Sequence, residues 1–188
     1  MANWFVATRL AKRSIIDTNM KVLETERLIL RLMSVDDSEF MLDLLNDPSW
    51  LQFIGDRGAR TVDDAREYIL SKVVAMYDNI GFGLFLTELK SDGTPIGICG
   101  LIKRDSLEDV DIGFAFLPKF RGSGYAYESA AAMIDHGKKV LGLDRIVAIT
   151  SPDNDRSVAL LKKLGLRFER MVRLYDGGKE DMLFGLKF

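Results

Sequence analysis

The residues with the clearest potential for chemistry lie in one turn, Phe116–Ala131, which reads FLPKFRGSGYAYESAA. Gly122, Gly124 and Ala126 carry almost no side chain there, and Arg121 adds a positive charge at the edge. A strand precedes this turn and a helix begins within it, so the first helical amides have no partner inside the helix. Such amides suit an anion such as a phosphate group. A tight strand-to-helix connection without a ligand would use the same glycines.

Two common nucleotide-binding motifs do not match this turn. A P-loop needs a lysine followed by serine or threonine at the helix start, whereas Tyr125 and Ala126 stand there. A dinucleotide fingerprint needs a third glycine, where Tyr127 stands, and an acid at the end of the next strand. Asp144 precedes that strand instead. The turn therefore belongs to neither class of site.

The strand that leads into the turn has two dissimilar faces. Side chains alternate along a strand, so one face carries small or acidic residues and the other carries bulky ones: Asp109, Asp111, Gly113 and Ala115 against Val110, Ile112, Phe114 and Phe116. A nearly bare face within a layered fold indicates either a cleft or a closely packed helix.

The remaining elements have to position this strand and turn. Helices are predicted from the capping residues Ser34 and Thr61, each followed by acids in the first turn, and over 123–141 and 155–165. Strands are predicted over 27–33, 82–89, 95–104, 109–117, 145–150, 167–175 and 180–188. This order predicts an α/β fold with a mixed, mostly antiparallel central sheet of about seven strands, flanked by helices.

Composition sets the broad class of the chain. Its 188 residues can form one domain with a sizeable core, and its formal net charge of -2 gives no general attraction to nucleic acid or anionic lipid. The single cysteine, Cys99, is typical of a reducing compartment and reads as a core residue, and His136 reads as a boundary residue of a helix. We expect a cytoplasmic protein with no nucleic-acid partner, no membrane partner and no metal.

The N-terminal residues differ from the rest of the chain. Arg9, Lys12 and Arg13 precede the first acid, Asp17. We predict a loosely ordered extension over 1–22 and one domain over 23–188. A basic amphipathic helix or a transit peptide is the alternative for the extension.

Four segments resemble a known family. Arg121–Ala126 resembles the acyl-coenzyme A signature Q/R-x-x-G-x-G/A of the GCN5-related N-acetyltransferase (GNAT) superfamily. LETERLILR, DIGFAFLPKFRGSGYAYESA and SPDNDRSVALLKKLG are similar to its RimJ/RimL-like branch, which acetylates ribosomal-protein N-termini. With the closing strand pair they cover Leu23 to Phe188 in the family's order. The resemblance implies the GNAT fold, whose fourth and fifth strands (109–117 and 145–150 here) splay apart.

The same resemblance implies a cofactor site for acetyl-coenzyme A. The pyrophosphate would lie on the turn and the pantetheine arm beside the strand before it. The cofactor-binding residues implied are Phe114 and Phe116 through their backbone, the turn residues Arg121, Gly122, Ser123, Gly124, Tyr125 and Ala126, and Asn154 and Ser157.

Catalytic roles are implied for two residues. Asp111 is the candidate general base, because relatives commonly carry an acid on this strand and an attacking amine must lose a proton; Glu108 is a reserve. The alternative is a solvated charge at the strand edge. Many relatives have a tyrosine one turn after Ser157, where this chain has Leu160 and Leu161. Ser157 or a water molecule is then left to protonate the thiolate.

The activity implied is transfer of an acetyl group to a primary amine, by direct attack in a ternary complex. The acceptor would be a protein N-terminus or a small molecule, and the acids Asp109, Asp111 and Glu108 favour a cationic one. Trp50 and Phe53 stand where relatives line the acceptor pocket, or they staple a loop. The alternative function is an acyl-coenzyme A sensor without turnover. We expect a monomer or a homodimer.

Overall fold

An eight-stranded sheet forms the centre of the protein in the computed structural model, which describes residues 20–175 and 177–188. The strands are β1 Lys21–Glu24, β2 Leu28–Arg31, β3 Leu84–Leu89, β4 Pro95–Ile102, β5 Val110–Phe116, β6 Arg145–Thr150, β7 Arg167–Val172 and β8 Asp181–Lys187. Their order in the sheet is β1-β2-β3-β4-β5-β6-β8-β7. Every neighbouring pair is antiparallel except β5 and β6, which are parallel.

Helices cover both faces of the sheet. They are α1 Ser38–Leu45, α2 Pro48–Phe53, α3 Val62–Tyr68, α4 Ala75–Ile80, α5 Tyr125–Lys139 and α6 Asp155–Lys163. A π-helical turn, Ile69–Val74, joins α3 to α4. Short 3₁₀ turns occupy Val35–Asp37 and Pro118–Phe120. Ser34 and Thr61 both form capping boxes, as their positions in the sequence predict.

Two hydrophobic clusters hold these layers together. The first lies between the sheet and α5, and contains Cys99, Ile112, Phe116 and Met133. Cys99 is fully buried, and burial raises its pKa to about 12, so it is a core residue as expected. The second cluster lies under the N-terminal helices, where Met41 and Leu44 of α1 pack with Ile98. The two faces of β5 therefore pack against different clusters: Ile112 and Phe116 belong to the first, and Ala115 contacts the second. This agrees with the alternation in its sequence.

The predicted α/β class and mixed sheet are confirmed, with two additions. β1 pairs with β2 and begins at Lys21, two residues before the predicted start of the domain. Helix α2 follows α1 directly, because Asp47 accepts hydrogen bonds from the amides of Ser49 and Trp50 and Pro48 stands in the first turn. The N-terminal extension, apart from Met20 to Val22, lies outside the described residues.

The sheet splits between β5 and β6, as predicted. Only Val110 with Ile146 and Asp111 with Val147 form pairs between these strands. Beyond these two pairs the strands separate, so the backbone N–H and C=O groups on their facing edges do not bond to each other. The described part of the chain contains no helix that is both long and apolar enough to cross a membrane.

Candidate active site

A cavity of about 1420 Å³ opens where β5 and β6 separate. It is lined by β5, the end of β6, the turn Arg121–Ala126, the start of α6 and the N-terminal helices. Pockets for one small ligand typically enclose roughly 300–1,000 Å³. This cavity therefore has room for two substrates side by side.

The turn Arg121–Ala126 presents free amides to the cavity. Gly122 and Gly124 have φ angles of +80° and +85°, in the left-handed region that favours glycine. Among the residues that the structure describes, no acceptor receives the N–H groups from Gly122 to Tyr127, and α5 has no side-chain cap. A Cβ at Gly122 would have no atom within 4 Å. Five of these six residues, all except Ser123, line the cavity, and their amides at the positive end of a 15-residue helix suit an anion.

Residues from the start of the chain brace this turn from behind. Arg27 donates from Nη1 to the Ser123 carbonyl at 3.1 Å and pairs through Nε with Glu128 at 2.7 Å. Thr25 also donates to Glu128, at 2.6 Å. Burial opposes a low pKa for Glu128, but these hydrogen bonds outweigh it and lower the pKa. Ser123 faces this brace and does not line the cavity, unlike the other predicted turn residues.

The edge of β5 offers backbone groups along the gap. The Leu117 amide donates to Ile96 of β4 at 3.0 Å. Because backbone groups alternate in direction along a strand, those of Phe114 and Phe116 point the opposite way, towards β6. The Phe116 carbonyl already accepts from Arg121 Nε at 2.8 Å. The Phe114 groups and the Phe116 amide remain for an extended ligand, which could add to β5 like a strand.

The start of α6 lines the cavity across the gap. Asn154 caps this helix, since its Oδ1 accepts from the Ser157 amide at 3.2 Å. Asn154, Ser157 and Leu160 all line the cavity. The structure thus brings together the segments that were predicted to hold the pantetheine arm, and it shows a capping role for Asn154. Their roles towards a ligand stay predictions.

Asp111 is a buried carboxylate in the cavity wall. Its exposed fraction is 1%, so it is not a solvated charge at the strand edge. Oδ2 accepts from Arg104 Nε at 2.6 Å, and Oδ1 has no hydrogen-bond partner within the described residues. Burial raises the pKa of Asp111 to about 6, against the opposing effects of Arg104 and the Ile149 amide. An unpartnered oxygen on a carboxylate of raised pKa is a good proton acceptor near neutral pH.

A family model described as an acetyltransferase (GNAT) domain matches residues 27–167, which is most of the chain. The chain belongs to the GNAT acetyltransferase family.

Three known proteins illustrate what this chain is similar to. An uncharacterized N-acetyltransferase, p20 of Bacillus licheniformis, is 28% identical over 169 residues, covering 87% of this chain and 92% of the relative. A GNAT acetyltransferase structure from Bacillus anthracis is 25% identical with a TM-score of 0.73, over 89% of this chain and 98% of that one. The structure of RimL, a ribosomal L7/L12 alpha-N-protein acetyltransferase in complex with coenzyme A, has a TM-score of 0.75 at 16% identity, over 89% and 98%. The family and the acetyltransferase class are confirmed, and the likeness to RimL concerns the fold.

The Arg121 side chain of this GNAT protein is committed to another partner. It donates from Nη1 to Ser49 Oγ at 2.8 Å and pairs through Nη2 with Asp47 at 2.5 Å. Asp47 is 5% exposed and also caps α2. The charge of Arg121 is therefore neutralised by Asp47, and its guanidinium connects the turn Arg121–Ala126 to α2. The sequence carries no local signal for the contact of Arg121 with Asp47.

Breaking this connection should weaken the site. Asp47→Asn keeps a side-chain oxygen to cap α2 but removes the charge opposite Arg121. We expect unfolding to become easier by about 1 kcal/mol, because the half-buried Arg121 guanidinium loses its ionic partner, and coenzyme A to bind more weakly. Urea unfolding and calorimetric titration with coenzyme A measure both effects. The control is Asp43→Asn, which changes an exposed carboxylate on α1. Equal stability and equal affinity for coenzyme A in the two variants would contradict the prediction.

Two other acids that the sequence singled out, Asp109 and Glu108, lie outside this GNAT site. Asp109 pairs with Arg145 at 2.8 Å, and Arg145 also pairs with Glu169. Glu108 is exposed, and neither it nor Asp109 lines the cavity. The expectation of a cationic acceptor rested on Asp109, Asp111 and Glu108, and of these three only Asp111 lines the cavity.

The N-terminal helices contribute what we call the helical wall of the cavity, which consists of Trp50, Phe53, Arg57, Tyr68 and Lys72. Trp50 is 4% exposed and belongs to the second hydrophobic cluster. It is thus more than a loop staple. His136 lies in α5 and does not line the cavity, as expected. No cluster of three His, Cys, Asp or Glu residues suited to a metal occurs in residues 20–175 and 177–188.

Proposed function

We propose that this GNAT protein transfers the acetyl group of acetyl-coenzyme A to a primary amine, by direct attack in a ternary complex. One observation carries the proposal. The opening between β5 and β6 runs from the buried carboxylate of Asp111 to the free amides of Gly122–Tyr127. A proton acceptor and an anion site thus share one cavity.

The residues of the cavity fit coenzyme A. The amides of the turn suit its pyrophosphate, and the free backbone groups of Phe114 and Phe116 suit the amide-containing pantetheine arm. Arg156 and Lys163 also line the cavity and add positive charge near α6. The Lys163 ammonium lies 4.6 Å above the Tyr127 ring. When bound, acetyl-coenzyme A supplies the acyl carbon that the amine attacks.

Asp111 supplies the base in this proposal. Free amines have pKa values of about 8–10 and are largely protonated at neutral pH, so a proton has to leave before attack. Asp111 lines the cavity, and its Oδ1, which has no hydrogen-bond partner among the described residues, offers a lone pair for that proton. Its raised pKa of about 6 makes it a stronger base than an ordinary aspartate while leaving it mostly ionised at pH 7.

Protonation of the leaving thiolate requires less from the protein. A thiol of pKa about 8.5 is a good leaving group. Leu160 lines the cavity where a proton donor would otherwise stand. We assign the nearby Ser157 hydroxyl, or water that it orients, to this role.

Ligand binding and turnover test the proposal in two steps. Acetyl-coenzyme A at 100 times its dissociation constant should stabilise the folded state by about 2.7 kcal/mol. For a protein of this size, that raises Tm by roughly 5–10 °C. A saturating concentration that leaves Tm unchanged would refute the cofactor site.

Thiol release with a panel of amines then separates an enzyme from a sensor. We expect release of coenzyme A that depends on the amine. A shift in Tm without release for any amine would favour the sensor, whose supporting observation is Leu160 in place of a proton donor.

A further inference from the structure

The polar groups of the helical wall are hydrogen-bond donors. Trp50 Nε1 is buried and has no acceptor among the described residues. Burial raises the pKa of Tyr68, although the charges of Arg57 and Arg104 act in the opposite direction, so Tyr68 carries a neutral hydroxyl at physiological pH. An unpartnered buried donor costs free energy, and no acceptor among the described residues removes that cost at Trp50.

The cations of the wall are not neutralised. Neither Arg57 nor Lys72 has a carboxylate within 4.0 Å in the part of the chain that the structure describes. Both side chains are exposed at the mouth of the cavity. The acids on this side, Asp47 and Asp111, are each paired with an arginine.

Two further acids line the cavity elsewhere. Asp153 and Asp155 stand at the start of α6 and not on the helical wall. The helical wall therefore keeps a surplus of positive charge.

The π-helical turn gives this wall its shape. Tyr68, Lys72 and Met76 follow one another at intervals of four residues, and all three line the cavity. Ile69 and Val73, within the same turn, are buried in the second cluster. π-helical turns in α-helices frequently occur at functional sites. Here the turn keeps a phenol, an ammonium and a thioether on the cavity side.

We infer that the acceptor is an amine that also carries a carboxylate, such as an α-amino acid with an apolar side chain or a peptide with an acid close to its N-terminus. This inference rests on the proposed transferase activity. The free oxygen of Asp111 is the only unpartnered carboxylate oxygen found buried among the described residues, and it receives the amine. The donors and cations of the helical wall receive the carboxylate, and Phe53 and Met76 contact the apolar part.

Matched acceptor pairs test this class directly. We would measure coenzyme A release with L-phenylalanine against L-phenylalaninamide and L-methionine against L-methioninamide, with phenethylamine and spermidine as acceptors that lack a carboxylate. Tetrapeptides with Glu or Gln at the second position separate a peptide source from a free amino acid. The amides have the lower amine pKa and hence more neutral amine. Ionisation therefore favours the amides, and a preference for the acids has to come from binding.

We expect kcat/KM to be at least tenfold higher for the acid of a pair, mainly through KM, with the advantage shrinking at high salt. Equal or faster turnover of the amides, or of spermidine, would overturn the inference and leave the transferase activity standing. No turnover of any acceptor, despite a Tm shift with acetyl-coenzyme A, would overturn the transferase proposal and this inference with it.

Variants of the wall identify the contact. In the double variant Arg57→Gln and Lys72→Gln, KM should rise at least tenfold for the acids and stay within twofold for the amides. The dissociation constant of coenzyme A should not change. Lys139→Gln, at the exposed end of α5 and away from the cavity, is the control. An equal rise in KM for acids and amides would show that the two cations shape the wall without binding a carboxylate.

Discussion

Asp111→Asn should lower kcat/KM by about 10²–10⁴-fold while making the folded protein more stable at neutral pH. The loss of rate follows because asparagine cannot accept the amine proton, and general base catalysis is typically worth that factor. The gain in stability follows from the burial of the carboxylate at 1% exposure. Replacing it with a neutral amide of the same shape removes a buried charge. Arg104 is 32% exposed, so water can solvate it once its partner is neutral.

The effect of Asp111 on the stability of the folded protein depends on pH. The pKa of Asp111 is raised from 3.8 to about 6 in the folded protein, so the folded state holds this proton more tightly than the unfolded state. The contribution of Asp111 to stability is therefore lost as pH rises from about 4 to 6, and above pH 6 the ionised group costs up to about 3 kcal/mol. In Asp111→Asn this dependence disappears. Urea unfolding at pH 4, 6 and 8 measures it.

Kinetics on the same proteins provide the second measurement. In the wild type, kcat/KM should fall about tenfold per pH unit below pH 6, because the base becomes protonated; the variant should lack this limb. Asp109→Asn is the control, since Asp109 lies on the same face of the strand but pairs with Arg145 outside the cavity. An unaltered rate and pH profile for Asp111→Asn would mean that water or another group takes the proton.

We expect a catalytic carboxylate in a cavity to lower the free energy of unfolding, because it is buried without its full set of hydrogen-bond partners. The ion pair of Asp111 with Arg104 uses one oxygen and leaves Oδ1 buried without a partner. A purely structural ion pair would satisfy both oxygens, as Arg31 does for Asp37, whose two oxygens accept at 2.8 and 3.0 Å. Asp37, with both oxygens bonded, is thus a structural carboxylate, whereas Asp111 keeps one oxygen for a proton.

Much of the fold could be predicted from the sequence because its signals are local. The alternation in β5 and the capping boxes at Ser34 and Thr61 gave correct elements, since each depends on neighbouring residues only. β1 was missed because its four residues show no clear alternation, and it is held by pairing with β2. Helix α2 had a local signal, Asp47 followed by Pro48, that the prediction did not use.

The site was predicted unevenly, for a physical reason. The glycines of the turn and the position of Asp111 can be predicted from short stretches of sequence. The ion-pair partners are not, because Arg27 lies 101 residues from Glu128 and Asp47 lies 74 residues from Arg121. No spacing rule connects residues that meet only after folding. The sequence therefore predicted Arg121 as a binding residue without revealing its partner Asp47.

Gly122→Val should raise the dissociation constant of coenzyme A by about 100-fold. The turn holds Gly122 at a φ of +80°, and a β-branched side chain disfavours that conformation and with it the arrangement of the free amides. The added side chain also enters the open space in front of the amides, where a Cβ now has no neighbour within 4 Å. Losing one or two hydrogen bonds to a charged phosphate costs about 3 kcal/mol, which corresponds to the stated factor.

Gly93→Val separates this effect from backbone strain alone. Gly93, in the hairpin between β3 and β4, has a φ of +71° and equally free space around its Cβ, and it does not line the cavity. Both variants should lose a similar amount of stability, about 1–2 kcal/mol or more, in urea unfolding. Only Gly122→Val should lose affinity for coenzyme A in calorimetric titration and the rise in Tm with acetyl-coenzyme A. If both variants bind coenzyme A as the wild type does, the free amides of the turn do not hold its pyrophosphate, and the cofactor site has to be placed elsewhere in the cavity.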